Sequence, residues 1–494
     1  MKIVALIPVW LILCMGMLAG CVAGPDFKRP AAPEVAGYSV APLPAQTVSS
    51  AGALGQAQRF MPGAKTPTSW WRQFESPKLD ALIEQALQAS PSLEAANATL
   101  RQARQTYEAR AGATLHPQMN ARLGAQRLGT NTAASGQSGG ERVFDLYNAS
   151  VDVSYNLDLS GGNRRTLEAL AAQADYQGFQ REGARLTVAA NVATAAMAQA
   201  QLISRIEATE AILAAQSEQL DITRARLNLG AASGHDFFTW QTQVEQTRAL
   251  IPPLHSSLAQ ITHLLAVLAG QPPGAGTMPQ FALADFNLAT DLPVSVPSEL
   301  VRQRPDIRAS EALLHAASAQ YGLSVSKLYP QISLSANLGS QAITLASLFG
   351  PGSLVWGLAG QLAQPLFQGG LRAESRAAEA GFDAAAANYR QTVLQALRNV
   401  ADVLSALDYD ARTLAAQAAA HASALESLRL VEQQYGLGAV SYLALLTARQ
   451  QAEQTRLSLI TAQTQRLSDT VALYQAMGGG WLHDEGTAAT GEPL

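Results

Sequence analysis

Two glycine-bounded stretches of this chain, Asn163 to Leu229 and Leu371 to Leu437, run without a single proline. Read as helix at ~1.5 Å per residue, each would be about 100 Å long, far more than a globular domain uses. Each opens after a glycine pair, Gly161-Gly162 and Gly369-Gly370, and stops at a lone glycine, Gly230 and Gly438. These markers share one offset of 208 positions, and Glu-Gln-Thr-Arg recurs at the same offset, at Glu245–Arg248 and Glu453–Arg456. The chain therefore reads as duplicated around two very long helices, two interleaved halves of one body rather than a string of unrelated domains.

The rest of each half repeats in order. In the first, Ser76 precedes a helix through Ala89, and a second helix from Ser90-Pro91 ends at His116-Pro117. The period then changes. Met119, Ala121, Leu123 and Ala125 alternate with polar residues, and after a Gly/Ser/Thr loop Tyr147, Ala149, Val151, Val153, Tyr155, Leu157 and Leu159 alternate with Asn148, Ser150, Asp152, Ser154, Asn156 and Asp158. Period two over such a length is a strand with one apolar and one polar face. From one hairpin alone the apolar face could be a soluble core or a lipid-facing surface with tyrosines near the interfaces. After the long helix and the Gly230 turn, a return helix runs antiparallel, and Pro252-Pro253 should kink or interrupt it. In the second half Pro305 to Tyr329 is the helix, Ile332, Leu334, Ala336 and Leu338 mark one strand, and Leu354 to Leu366 is the next.

The boundaries that follow are a signal peptide at 1–20 and a lipid-anchored extended tether at 21–67. The first repeat spans 68–275, with a hairpin at about 118–159, a long helix at 163–229 and a return helix at 236–269. A linker covers 276–297. The second repeat spans 298–481, with a hairpin at about 331–366, a long helix at 371–437 and a return helix at 442–477, and 482–494 is a tail.

Lys2 followed by an apolar run to Met17 and then Leu18-Ala19-Gly20-Cys21 has the form of a secretory signal ending in a lipobox, so Cys21 is expected to carry the lipid. With Cys14 removed, no cysteine remains for a disulfide or metal cluster. No later apolar run approaches membrane-helix length, so any further crossing must use strands. A net charge of −4 and the lack of Lys/Arg runs argue against a nucleic-acid partner. No nucleophile elbow, phosphate loop or His-Glu-x-x-His helix is present, and His116, His235, His255, His263, His315 and His421 never sit at ligand spacing with carboxylates. The chain is thus expected to be neither an enzyme nor a cofactor binder. His421 in its alanine-rich helix reads as surface or packing.

Four strands cannot close a membrane barrel, whose smallest single-chain examples use eight. Closure requires copies, and a ring of copies leaves an aqueous passage: a conduit.

The whole chain resembles the outer-membrane efflux factors of the TolC/OprM family, in its NodT-like lipoprotein subgroup. The resemblance rests on Cys21-Val22-Ala23-Gly24-Pro25-Asp26-Phe27 with Arg29-Pro30, Trp70-Trp71 with Phe74, Arg304-Pro305-Asp306-Ile307-Arg308, Tyr329-Pro330, Pro365-Leu366-Phe367, Tyr442-Leu443 before Leu445-Leu446, and Tyr474 with Gly478-Gly479-Gly480-Trp481. The resemblance implies a mixed, mainly α fold: a homotrimer whose periplasmic α-barrel continues into a 12-stranded outer-membrane β-barrel, four strands per chain. It implies outer-membrane localisation with a large periplasmic portion, contact with outer-membrane lipid, a periplasmic adaptor, and an inner-membrane pump of the RND type. The expected function is a passive exit duct for small toxic molecules; the alternatives are the exit duct of a type I protein-secretion system and a periplasmic coiled-coil scaffold lipoprotein.

By the same resemblance the turns far from the strands meet the adaptor: Leu229, Gly230, Ala231 and Ser233 in one, Leu437, Gly438, Ala439 and Ser441 in the other. Tyr435 matches a gate tyrosine. Gly436 stands where relatives often carry Arg, Val440 where Asp is common, and Thr447 where an acidic constriction residue is common. Glu432, Arg429, Asp221, Arg224, His235 and Asp236 are the local charges available to replace that ionic lock. The expectation is a resting pore closed by packing around Tyr435 plus one inter-helix ion pair.

Overall fold

The computed structural model describes residues 22–35, 37–39, 42–131, 141–276 and 278–481. Cys21, the 1–20 leader and the 482–494 tail lie outside the described residues.

In chain order the elements are β1 (Arg59–Pro62), a 3-10 turn at Trp70–Phe74, α1 (Pro77–Ala89), α2 (Pro91–Leu115), β2 (Gln118–Asn131), β3 (Glu141–Leu157), α3 (Gly162–Asn228) and α4 (Gly234–Leu268). There follow β4 (Asp291–Val294), α5 (Pro297–Gln303), α6 (Pro305–Ser326), β5 (Gln331–Ala342), β6 (Leu354–Ala363), α7 (Gly369–Gly436) and α8 (Tyr442–Ala476). Both long helices are uninterrupted, at 67 and 68 residues.

Contacts divide the chain into two units. One holds the chain up to Pro30, Thr99–Gly178 and Ala309–Tyr389. Its centre is an antiparallel sheet in the order β2-β3-β5-β6. The register places Ala121, Val151, Leu338 and Trp356 in one row of one face and Met119, Val153, Ala336 and Leu358 in the next. The opposite face carries Asn120, Asp152, Asn337 and Gly357, with Arg122 3.4 Å from Asp152. The apolar face is uncovered: Leu123, Trp356 and Leu358 are 84%, 75% and 78% exposed. Residues 22–30 lie against α3 and α6. The Ala23 amide donates to Ser160 O at 2.9 Å. Arg165 donates to Ala23 O and to Asp26, and Phe27 stacks on His315 at 4.3 Å. His315 Nε2 is also 2.8 Å from Glu168, a histidine–carboxylate pairing across 147 residues that sequence spacing could not show.

The other unit holds Ala31–Ala98, Phe179–Arg308 and the chain from Arg390. Its core gathers Trp70, Phe74, Leu79, Ile83, Met197, Leu265, Leu300, Leu407, Leu467 and Tyr474. Trp70 stacks on Tyr474 at 5.4 Å, and burial pushes the Tyr474 phenol up to about 12.

Four expectations change here. The tether and the linker contribute β1 and β4, which pair in parallel from Arg59↔Asp291 to Pro62↔Val294. Three elements end earlier than the pattern predicts: β3 at Leu157 rather than Leu159, β6 at Ala363 rather than Leu366, and α6 at Ser326 rather than Tyr329. Pro252 and Pro253 sit inside α4 without interrupting it. The two carbonyls they leave without intrahelical donors belong to Arg248 and Ala249, both exposed, so water can serve them. Finally, α3 contains a stretch long and apolar enough for a membrane span, yet more than half of that stretch is buried. Ala189, Ala190, Val192, Ala193, Ala196 and Ala200 of α3 are core residues of this unit, so helix packing accounts for its apolar character.

Candidate gate and docking turns

Two helix–turn–helix ends of the second unit carry the same five-residue pattern, Leu229-Gly230-Ala231-Ala232-Ser233 and Leu437-Gly438-Ala439-Val440-Ser441. The pattern explains the turn. In the first, the Ala231 amide donates to Arg226 O at 2.7 Å and the Gly230 amide to Leu227 O at 3.0 Å; in the second, Ala439 donates to Gln434 O at 2.8 Å and Gly438 to Tyr435 O at 2.9 Å. These are the paired closing bonds of a Schellman cap, which needs a left-handed residue. Gly230 and Gly438 supply it, both at φ +72°.

Serine then starts each return helix: Ser233 Oγ accepts from the Asp236 amide at 3.1 Å and Ser441 Oγ from the Ala444 amide at 3.2 Å. With the helix ends satisfied in this way, the turns present Leu229 and Leu437 to solvent, 83% and 84% exposed.

The gate candidates separate into those held within their own helix and those that join helices. Asp236 closes a capping box on Ser233, and the Ser233 hydroxyl, then its backbone N–H, hold the carboxyl below its ordinary value. Arg429 pairs with Glu426 one turn back, and Asp221 with Arg224 at 3.4 Å. The Arg224 guanidinium also lies 5.5 Å from the centre of the Phe237 ring. Thr447 donates to Leu443 O at 2.9 Å, and His235 is exposed. Gly436 and Val440 bring no charge.

Tyr435 and Glu432 do join helices. The Tyr435 ring lies 5.2 Å from Tyr442 across the turn, and Glu432 on α7 lies 3.5 Å from Arg449 on α8. Tyr442 in turn donates its hydroxyl to Glu218 of α3. This bond to a carboxylate keeps the phenol proton, raising its pKa above the ordinary tyrosine value. Further along, Arg456 lies 3.7 Å from Glu207 of α3 and 3.2 Å from Glu453 of its own helix. His421 meets Thr455 at 3.1 Å between α7 and α8, a packing role.

Tyr442 as a donor, Arg449, Arg456, Glu207 and Glu218 do not stand out in the sequence, although a signal is present. Tyr442, Arg449 and Arg456 recur every seven residues and so share one face of α8, while Glu207 and Glu218 are eleven apart, three helical turns on one face of α3.

Among the described residues no cluster of three or more His, Cys, Asp or Glu could hold a metal ion.

The family profile described as Outer membrane efflux protein matches the chain twice, over residues 82–271 and 296–479, one match to each repeat. The chain is 30% identical over 477 residues to the probable efflux pump outer membrane protein TtgC of Pseudomonas putida, covering 96% of this chain and 95% of that one. It is also 30% identical to outer membrane protein OprJ of Pseudomonas aeruginosa, covering 95% and 94%. Among solved structures, the outer-membrane channel OprN superposes with a TM-score of 0.80 at 26% identity, over 93% of this chain and all of that one. The open state of the MtrE outer membrane channel of Neisseria gonorrhoeae superposes at 0.77 and 26%, over 93% and 98%. With both halves matched by one profile and near-complete relatives at this identity, the chain belongs to the outer membrane efflux protein family.

Proposed function

We propose that this chain is the outer-membrane component of a tripartite efflux system, a passive exit duct for small toxic molecules handed over by an inner-membrane pump of the RND type through a periplasmic adaptor. The observation that carries this is the four-stranded sheet, uncovered and apolar on one face, polar with Arg122 and Asp152 on the other. A soluble sheet would bury the apolar face. Facing lipid, it needs a wet lumen behind it, and four strands from each of three copies would close a 12-stranded barrel. In this reading Cys21 anchors each copy to the outer membrane and the long helices line a periplasmic tube.

The repeated Leu-Gly-Ala-x-Ser turns are then the docking points for the adaptor, each offering an exposed leucine on a rigid turn. The closed state is held by Tyr435 against Tyr442, Tyr442 on Glu218, and Glu432 with Arg449. Each exposed pair contributes only about 0.2–1 kcal/mol, so an adaptor that prefers the open arrangement by a few kcal/mol shifts the population.

The test is conductance of the purified channel in planar bilayers. Tyr442→Phe, which removes only the hydroxyl on Glu218, and Tyr435→Ala should each raise conductance or open time over wild type. A wild-type protein that forms no conducting channel, or that fractionates with soluble periplasm, overturns the duct. Conducting variants no more open than wild type overturn the gate alone.

A further inference from the structure

Duplication lets one half of the chain serve as a control for the other. The 208-residue offset that aligns the glycine pairs and both turns also aligns Gly270 with Gly478, where each return helix ends with a left-handed glycine. Between these markers, Asp410 on α7 aligns with Leu202 on α3, and Asp469 on α8 with Ile261 on α4. In the first half Ile261 packs against the core. In the second half the fold carries two carboxyls where it tolerates two aliphatic side chains, so the scaffold does not require them.

Their setting is unusual for acids. Asp469 is 8% exposed. Its Oδ1 accepts from Gln465 at 3.0 Å, while its Oδ2, buried, has no hydrogen-bond donor. Asp410, across the α7–α8 seam, lines the same cavity as the Gln465 that donates to Asp469, and it is the charged group acting on Asp469. Nearby charges are engaged elsewhere. Arg466 on α8 turns to Leu54 O, Gln56 O and Thr47. Asp408 and Arg412 pair on α7 at 2.8 Å, and Arg59 of β1 pairs with Asp291 of β4 at 2.7 Å. Beside the acids the seam opens into a cavity of about 340 Å³ lined by Asp410, Thr413, Gln417, Ser458, Thr461 and Gln465. Water can reach Asp410 there.

Two facing carboxylates without a cation cannot both be ionised at small cost, and a buried oxygen without a donor lacks the partner that a proton would provide. We propose that Asp410 and Asp469 share one proton, and that this makes the α7–α8 seam of the second half a pH-sensitive joint that tightens when the proton is held and loosens when it leaves. The first half, with Leu202 and Ile261, has no such joint. The inference concerns the helices that carry the gate residues, but it holds whether or not the chain conducts.

Burial first, and Asp410 after it, raise Asp469 to about 8. The sign follows. Between about 4, the ordinary value of an aspartate, and about 8 the folded seam holds a proton that the unfolded chain has released. The stabilisation is fully present below that window and is lost as pH rises through about 8.

The test is amide hydrogen exchange on the full-length protein in lipid nanodiscs, at pH 6 and pH 9, reading residues 405–417 and 458–472. Asp469→Asn keeps the shape, and its amide donates to Asp410 as the acid proton does. The double variant Asp410→Leu/Asp469→Ile installs the pair that the first half already uses. Wild type and Asp469→Asn should exchange alike at pH 6, and at pH 9 wild type should exchange about a hundredfold faster in these segments, the effect of one proton over the two pH units or so between 6 and the folded value of about 8. The double variant should show no such pH-dependent excess, and nor should residues 197–209 and 250–264 of the first half in any protein. A wild-type to Asp469→Asn ratio that is the same at both pH values overturns the proposal. So does restoration of wild-type protection at pH 9 by millimolar calcium, which would assign the pair to a metal ion.

Discussion

Gly230 and Gly438 hold the same φ of +72° in the two turns, and nothing lies within 4 Å of where a Cβ would stand on either. Replacing Gly438 by Ala therefore meets no clash and tests the backbone alone: the left-handed conformation costs an L-residue roughly 1–2 kcal/mol. We expect Gly438→Ala to fold and to fray the ends of α7 and α8, seen as faster amide exchange at 433–445 with the first turn unchanged. Arg466 is the opposite kind of residue, fully buried and donating to Leu54 O at 3.1 Å, Gln56 O at 2.7 Å and Thr47 Oγ1 at 2.9 Å. With no carboxylate among these partners, burial lowers the guanidinium to about 10. Arg466→Met keeps much of the volume but strands these acceptors, at about 1–3 kcal/mol each. The 47–58 loop should become a protease-sensitive site while α8 stays helical by circular dichroism.

At the scale of elements, the sheet makes the sharpest contrast, because neighbouring residues on one strand face opposite solvents. Leu338 stands in the apolar row with Val151 and Trp356, and Asn337 in the polar row with Asp152 and Gly357. Arginine on a lipid-facing strand position costs roughly 2–4 kcal/mol at mid-bilayer, whereas a lumen position tolerates it. Leu338→Arg should thus abolish accumulation in the outer membrane, and Asn337→Arg should not; equal yields from both would remove the membrane reading of the sheet. The strands were legible because a period of two held over ten or more residues matches the pleat of a strand and not the 3.6-residue turn of a helix. The two long helices were legible because neither proline nor an internal break interrupts them. β1 and β4 were hidden: Arg59–Pro62 and Asp291–Val294 each contain a proline, are four residues long, and pair across 232 positions, so no local pattern marks them. The cross-helix contacts were hidden for another reason. Glu207 and Glu218 look like ordinary solvated charges on a helix, and only the packing of α8 against α3 gives them Arg456 and Tyr442 as partners.

For the molecule as a whole, the decisive fact is that, among the described residues, β2 and β6 each pair on one side only, so the sheet has two open edges. An unpaired edge cannot face lipid, because its amides and carbonyls would go unsatisfied. If the apolar face lies in the membrane, β6 of one copy must pair with β2 of the next, and the ring closes only when enough copies are present. Proline on β6 tests this directly, since it deletes a backbone donor, and on an edge strand consecutive amides alternate between the inner neighbour and the free side. Of Leu358→Pro and Ala359→Pro, at least one therefore removes a donor that only a neighbouring copy could use. The wild type should run as an oligomer on an unheated denaturing gel and as a single chain after heating. At least one proline variant should run as a single chain without heating while its helical content, carried mainly by α3, α4, α7 and α8, is retained. Oligomers that survive both substitutions would mean that the copies are held together through the helices and that the edge of β6 is covered in some other way.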